Sequence, residues 1–71
     1  MSPHTLRDLL DRLVREMIHG RISLDEGRRA FEARFIERAL EEDDGHLGAT
    51  AERLGIHRNT LARKLDDYKL R

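Results

Sequence analysis

A short run near the C-terminal end combines the side chains that most often contact nucleic acid. The polar and basic members of residues 57–64 are His57, Arg58, Asn59, Thr60, Arg63 and Lys64. An arginine can donate two hydrogen bonds to a guanine edge, while threonine and lysine can reach phosphates or bases. These residue types predict binding of double-stranded DNA. For Asn59 and Lys64, the residues alone do not decide between DNA contact and plain solvation.

The spacing of this run suits one exposed helix face. At about 100° per residue from an inward Leu61, the outward direction contains Arg63 and Asn59. Arg58 falls in the first turn, where its side chain can swing toward a groove and where the helix dipole favours a phosphate. Thr60 either contacts DNA or braces the helix N-terminus. Arg58 and Arg63 could alternatively be solvated, but the motif around them favours contact with DNA.

Residues that could support catalysis or bind a metal do not form a recognisable pattern. His4, His19, His46 and His57 lack paired ligand spacing, and no nucleophile–base constellation or glycine-rich phosphate loop is suggested. The chain has no cysteine. We therefore expect no enzyme activity, no metal or other cofactor, and no small-molecule substrate. His57 is predicted to be an N-cap that also contacts phosphate.

Residues 47–65 have the features of a helix-turn-helix. We predict a short helix from Leu47 to Leu54 and a second from about His57 or Arg58 to Asp67. Ala51 allows two backbones to approach, and Gly55 permits the positive φ of a sharp turn. Other helical hairpins can share these features. The side chains expected to hold the motif together are Leu54, Ile56, Leu61, Leu65, Tyr68 and Leu70.

Two longer helices are predicted before this motif. The first runs from an N-cap at Ser2, with Pro3 following, to about His19, and Gly20 is its expected C-terminal cap. The second begins at the capping box of Ser23 and Glu26 and continues to Glu42. Residues 43–45, two acids and a glycine, end it, although the acids lie at the unfavourable end of the helix dipole.

An apolar stripe on these helices predicts self-association. A chain of 71 residues without cysteine buries little apolar surface alone, so a monomeric core is the less favoured reading. Leaving half the stripe in water would forfeit several kcal/mol at about 25 cal/mol per Å². The predicted homodimer interface comprises Leu6, Leu9, Leu10, Leu13, Val14, Met17, Ile18, Phe31 and Phe35.

Charge is divided between the two parts of the chain, although the net charge is zero. Residues 1–44 carry eight arginines against eleven acids, whereas residues 45–71 carry six basic residues against three acids. Because phosphate attraction depends on local charge, this division permits DNA binding. No apolar run reaches the length of a membrane span, which indicates a cytoplasmic protein without a membrane partner. The predicted DNA binding would associate it with the nucleoid.

Residues 55–65, GIHRNTLARKL, resemble the Fis family, which includes Fis itself and the C-terminal domains of NtrC-type regulators. The close similarity spans residues 45–70, and the two preceding helices agree in length and pattern. The resemblance implies an all-α, four-helix fold with an intertwined dimer core. It also places Arg58, Thr60, Arg63 and His57 at DNA-contacting positions, and His46 at a phosphate-contacting position.

Several positions depart from that family pattern. Ala62, Asp66 and Asp67 stand where Fis is basic, which suggests weaker wrapping of flanking DNA. We expect one domain with a dimerisation region at 1–44 and a DNA-binding region at 45–71, forming a transcriptional regulator or nucleoid-associated factor. The alternative is a dimerisation or adaptor module whose helix-turn-helix has lost strong DNA binding. A regulatory fragment of an enzyme is a third, weakly supported reading.

Overall fold

Four helices make up the architecture in the computed structural model, which describes residues 3–71 and the side chains from Thr5 onward. The described part of the chain contains no strand, and the all-α prediction is confirmed. The predicted N-cap Ser2 lies outside the described residues. The helices are α1 (Pro3–His19), α2 (Leu24–Glu42), α3 (Leu47–Leu54) and α4 (Arg58–Asp67).

The start of α2 is stabilised by the predicted capping box. The Ser23 hydroxyl accepts a hydrogen bond from the Glu26 amide at 3.1 Å, and the Glu26 carboxylate accepts one from the Ser23 amide at 3.2 Å. Both backbone donors would otherwise lack a partner within the helix. The boundary between α1 and α2 is therefore set by local chemistry.

All four helices end in a turn with a left-handed residue, and after α2 a second one, Gly45 with φ of 81°, follows directly. The first left-handed residues of the four turns are Arg21, Asp44, Gly55 and Lys69, with φ of 60°, 53°, 71° and 57°. In each case the amide of the following residue donates back to a carbonyl five positions earlier, at 2.8–3.1 Å, as in a Schellman motif. Gly55 confirms the predicted positive φ at the turn between α3 and α4.

At the end of α1, the left-handed residue is Arg21 and not the glycine that the sequence favours. The Gly20 amide still donates to the Glu16 carbonyl at 2.9 Å, so the helical hydrogen-bonding pattern persists through that position. The reversal occurs one residue later, where the Arg21 amide donates to the Ile18 carbonyl at 3.0 Å. The predicted end of α1 is correct and Gly20 directly follows it, but the left-handed conformation of this turn belongs to Arg21.

The hydrophobic core lies where α2, α3 and α4 meet. Ile36, Ala51, Leu61 and Leu65 are each no more than 3% exposed. The side chains packed around them are Leu40, Leu47, Leu54, Ile56, Tyr68 and Leu70. Since Ala51 carries only a methyl group, α3 can approach the neighbouring helices closely. This core fixes α4 relative to α3 and so positions the residues that follow the turn at Gly55.

The apolar side of α1 remains outside that core. None of its described side chains is buried, and Leu10 and Ile18 are 52% and 66% exposed. On α2, Phe31 and Phe35 are also half exposed, with ring centroids 5.6 Å apart. The chain therefore presents two neighbouring helices with apolar side chains in solvent.

Candidate nucleic-acid interface

His57 caps the helix that carries most of the predicted contact residues. Its backbone is extended, and its Nδ1 accepts a hydrogen bond from the Asn59 amide at 3.0 Å. The predicted capping role is thus confirmed. An imidazole nitrogen that accepts a hydrogen bond carries no proton, so the proton of the neutral ring is on Nε2, which can donate. Capping and phosphate contact are therefore chemically compatible.

The first turns of α4 gather the predicted contact residues on one short helix. Arg58, Asn59 and Arg63 are exposed, while Thr60 is half-buried. His46 is exposed as well, but it lies at the N-cap of α3 and makes no side-chain capping bond. The structure therefore places residues 57–60 at the start of α4, Arg63 near its middle and His46 at the start of α3.

Arg58 and Arg63 belong to the half of the basic residues in 45–71 that have no acidic partner among the described residues. Among the described residues, neither arginine takes part in an ion pair, whereas Arg53, Lys64 and Arg71 each do. A guanidinium without an internal partner keeps its donors for other acceptors, including phosphate and base edges. These two arginines are the side chains of α4 best prepared to bind an anionic ligand.

Lys64 points instead toward α2. Its Nζ lies 2.5 Å from Glu32 Oε1, and its side chain is only 30% exposed. The sequence does not decide whether Lys64 contacts a phosphate or is a solvated surface residue. The structure shows a third arrangement, an ion pair between two helices.

Glu32 is a functional residue candidate that sequence reasoning missed. Its second oxygen accepts from the Tyr68 hydroxyl at 2.5 Å and from Arg28 at 3.3 Å. Hydrogen bonds from Lys64 and then Tyr68 hold the pKa of Glu32 below its ordinary value. The Arg29 guanidinium also lies 5.1 Å from the centre of the Tyr68 ring. Of these contacts, the sequence could indicate only the pair of Arg28 and Glu32, because residues four apart lie on the same side of a helix.

A second missed arrangement joins the end of α2 to α3. Asp43 accepts two hydrogen bonds from Arg53, at 2.9 and 3.0 Å, and one from the buried Thr50 hydroxyl at 3.1 Å. The Arg53 hydrogen bond is the largest cause of a lowered Asp43 pKa. This carboxylate stands at the unfavourable end of the α2 dipole because it binds the helix that follows.

Asp66 is also paired within the chain. Arg71 donates to its two oxygens at 2.9 and 3.3 Å, and this contact lowers the Asp66 pKa. Asp67 has no ion-pair partner among the described residues. Of the two acids that depart from the basic pattern near the end of α4, Asp66 therefore repels an approaching phosphate less than its formal charge indicates.

The described side chains do not suggest a metal centre. Within that part of the chain, no group of three His, Asp or Glu residues lies close enough together to hold an ion. No described helix is long and apolar enough to cross a membrane. The chemistry that the structure brings together is that of arginine, threonine and imidazole donors beside a helix N-terminus.

Two short helices that share a core, are joined at a left-handed glycine and carry exposed arginines on the second helix define a helix-turn-helix DNA-binding domain. Residues 27–68 match the family described as bacterial regulatory protein, Fis family, and the chain belongs to this family. The match includes most of α2 and all of α3 and α4, and confirms the resemblance seen in the sequence. No curated protein and no solved structure matches the chain.

Proposed function

We propose that the protein is a homodimeric regulator that binds double-stranded DNA by inserting α4 into the major groove. The observation that carries this proposal is the pair of exposed arginines, Arg58 and Arg63, on a Fis-family helix-turn-helix; neither has an acidic partner within the described part of the chain. Arg58 and Thr60 would enter the groove at the helix N-terminus. Arg63 would contact a base or phosphate one turn later.

His57, His46 and Asn59 complete the proposed contact surface. His57 would donate from Nε2 to a phosphate while Nδ1 continues to cap α4. His46 would contact the backbone at the start of α3, and Asn59 lies between the arginines on the exposed side. Lys64 is left out of this surface because its ammonium is bound to Glu32.

The dimer is proposed from the unpartnered apolar surface of the N-terminal half. Side chains from α1 and α2 line an open groove of about 450 Å³, and its walls include Leu10, Leu13, Val14, Ile18, Leu24 and Phe31. A second copy supplies an apolar helix of the kind that this groove lacks. Burial at about 25 cal/mol per Å² would then stabilise both subunits. Residues 1–44 would form the dimerisation region and residues 45–71 the DNA-binding region.

Within this proposal, the protein acts as a transcriptional regulator or as a nucleoid-associated factor. Two recognition helices related by a two-fold axis would contact two half-sites of one duplex. Selection of bound duplexes from a random pool would test this arrangement. A palindromic consensus supports it, and its half-site spacing would give the separation of the two α4 helices.

An adaptor module is the second candidate, and the internal ion pairs favour it. Lys64, Arg53 and Arg71 are each neutralised by a carboxylate of the same chain, which leaves less charge for phosphate. Titration of duplex DNA at two salt concentrations separates the two functions. A DNA-binding regulator loses affinity steeply as salt rises because bound phosphates release counterions. Weak binding that is independent of salt would identify the adaptor.

A further inference from the structure

The Glu32–Lys64 ion pair connects the helix of the dimerisation region to the recognition helix. The two residues are far apart in sequence, and their side chains meet because α4 packs beside α2. Lys64 is 30% exposed and Glu32 is 25% exposed, so the pair is partly shielded from solvent. Such shielding strengthens a charge-assisted hydrogen bond relative to one on the open surface.

Glu32 is held in place by more than Lys64. Its other carboxylate oxygen accepts from Tyr68 and from Arg28, and Arg29 lies against the Tyr68 ring. A carboxylate with three donors has little freedom to follow a departing lysine. If Lys64 moved to a phosphate, Glu32 would stay bound to Tyr68 and Arg28. The ion pair between Lys64 and Glu32 would therefore be lost.

Lys64 would otherwise be well placed to reach DNA. It follows Thr60 by four residues, so the two side chains lie one above the other on the same flank of α4. A lysine has a long flexible stem, and an unpaired ammonium one turn after a DNA-contacting threonine could reach the phosphate backbone. The ion pair with Glu32 keeps the Lys64 ammonium away from the phosphate backbone.

We propose that Glu32 withholds Lys64 from the DNA, so that the recognition helix binds through Arg58 and Arg63 with one phosphate contact fewer in each subunit. This inference rests on the proposed DNA-binding function. Because phosphate contacts add affinity without sequence information, withholding Lys64 lowers the affinity for duplexes of any sequence by a similar factor and makes binding less dependent on salt. Glu32 is thus a positioning residue that acts on the affinity and salt dependence of DNA binding through Lys64.

A labelling experiment tests the ion pair without DNA. Lys64 and Lys69 are the two lysines of the chain, and Lys69 is exposed with no ion pair among the described residues. In the intact protein, an amine-acylating reagent should modify Lys64 several-fold more slowly than Lys69. In Glu32→Gln the two rates should become similar. Equal rates in the wild-type protein would overturn the proposal.

Salt dependence of DNA binding tests the consequence. On a duplex of random sequence, Glu32→Gln should steepen the plot of log affinity against log salt by about 0.9 for each subunit bound. Lys64→Met should leave the wild-type slope unchanged, and the double variant should return to it. The double variant also separates release of Lys64 from the mere loss of a negative charge at position 32.

The outcomes distinguish this inference from the proposed function on which it rests. If the wild-type protein binds DNA but Lys64→Met flattens its slope, Lys64 already contacts phosphate and the inference fails alone. The Lys64→Met variant decides this point even if Glu32→Gln does not fold, since it keeps the packing of the lysine stem. If the wild-type protein shows no salt-dependent binding, the proposed function and this inference both fail.

Discussion

Asp43, at the end of α2, receives both hydrogen bonds of a bidentate contact from Arg53 on α3, with nitrogen–oxygen distances of 2.9 and 3.0 Å. The same carboxylate accepts from Thr50, whose side chain is fully buried. Three donors from α3 therefore converge on one acid at the end of α2. This contact holds the first helix of the helix-turn-helix against the N-terminal half of the chain.

The first prediction concerns the pH dependence of this contact. Because the folded-state pKa of Asp43 lies below its ordinary value of 3.8, the contact stabilises the fold above that value, and the stabilisation is lost as pH falls through the lower folded pKa. Asp43→Asn should therefore be less stable than wild type at pH 7, with the gap closing below about pH 4. Denaturant unfolding across this pH range measures the gap.

Asp67→Asn is the matched control for Asp43. It removes the same charge from an exposed position that has no ion pair among the described residues. Its unfolding curve should stay close to that of the wild-type protein across the same pH range. A constant difference between Asp43→Asn and wild type from pH 7 to pH 3 would contradict the assigned role of the carboxylate.

The second prediction concerns the left-handed residues at the helix ends. Arg21→Gly should raise the free energy of unfolding by up to about 1 kcal/mol, since glycine adopts positive φ without the steric cost of a side chain. Gly55→Ala should lower it by about 1–2 kcal/mol for the converse reason, although a Cβ at Gly55 meets no atom within 4 Å. Unfolding at one fixed protein concentration measures both changes, and a loss of stability in Arg21→Gly would be inconsistent with the observed turn.

The third prediction concerns DNA recognition by α4. Arg58→Ala should weaken specific binding by about 1–3 kcal/mol and relax base preference, because a bidentate contact to a base edge is lost. Arg12→Ala, an exposed arginine of α1, is the control and should bind as the wild type does. Competition between consensus and scrambled duplexes measures both affinity and preference. An unaltered preference in Arg58→Ala would remove this residue from base readout.

The fourth prediction concerns the apolar stripe of α1. Leu10→Asp should abolish the dimer and DNA binding together, because it places a charge in the proposed interface. Arg12→Asp puts the same residue on the opposite side of the helix and should leave the dimer intact. Sedimentation equilibrium reports the mass of each variant. A folded dimer of Leu10→Asp would show that the interface lies elsewhere.

The helices and the family motif could be predicted from the sequence because their signals are local. Ser23 and Glu26 are three residues apart and cap α2 as the sequence predicts. Gly55, Ala51 and Leu61 likewise occupy the turn and core positions that their spacing indicates. Capping, turns and helical periodicity all depend on neighbours within a turn or two, so the order of residues is enough to determine them.

Partners of charged side chains could not be predicted in this way. Lys64 reads as a surface or phosphate-contacting lysine until α4 is placed beside α2, where Glu32 binds it. From the sequence, Asp43 is an acid at the unfavourable end of the α2 dipole. In the structure α3 packs against α2, and Arg53 of α3 forms an ion pair with Asp43. The homodimer and the DNA contacts remain predictions.

The amino-acid sequence by itself determined the four helices, the turn at Gly55 and membership in a helix-turn-helix family. Tertiary structure alone decided which basic residues are free to bind an anion, since that depends on which carboxylates the crossing helices bring within hydrogen-bonding distance. It left Arg58 and Arg63 without acidic partners among the described residues and bound Lys64 to Glu32. The physical reason is that an ion pair needs two groups a few ångströms apart, and separation along the chain does not specify that distance.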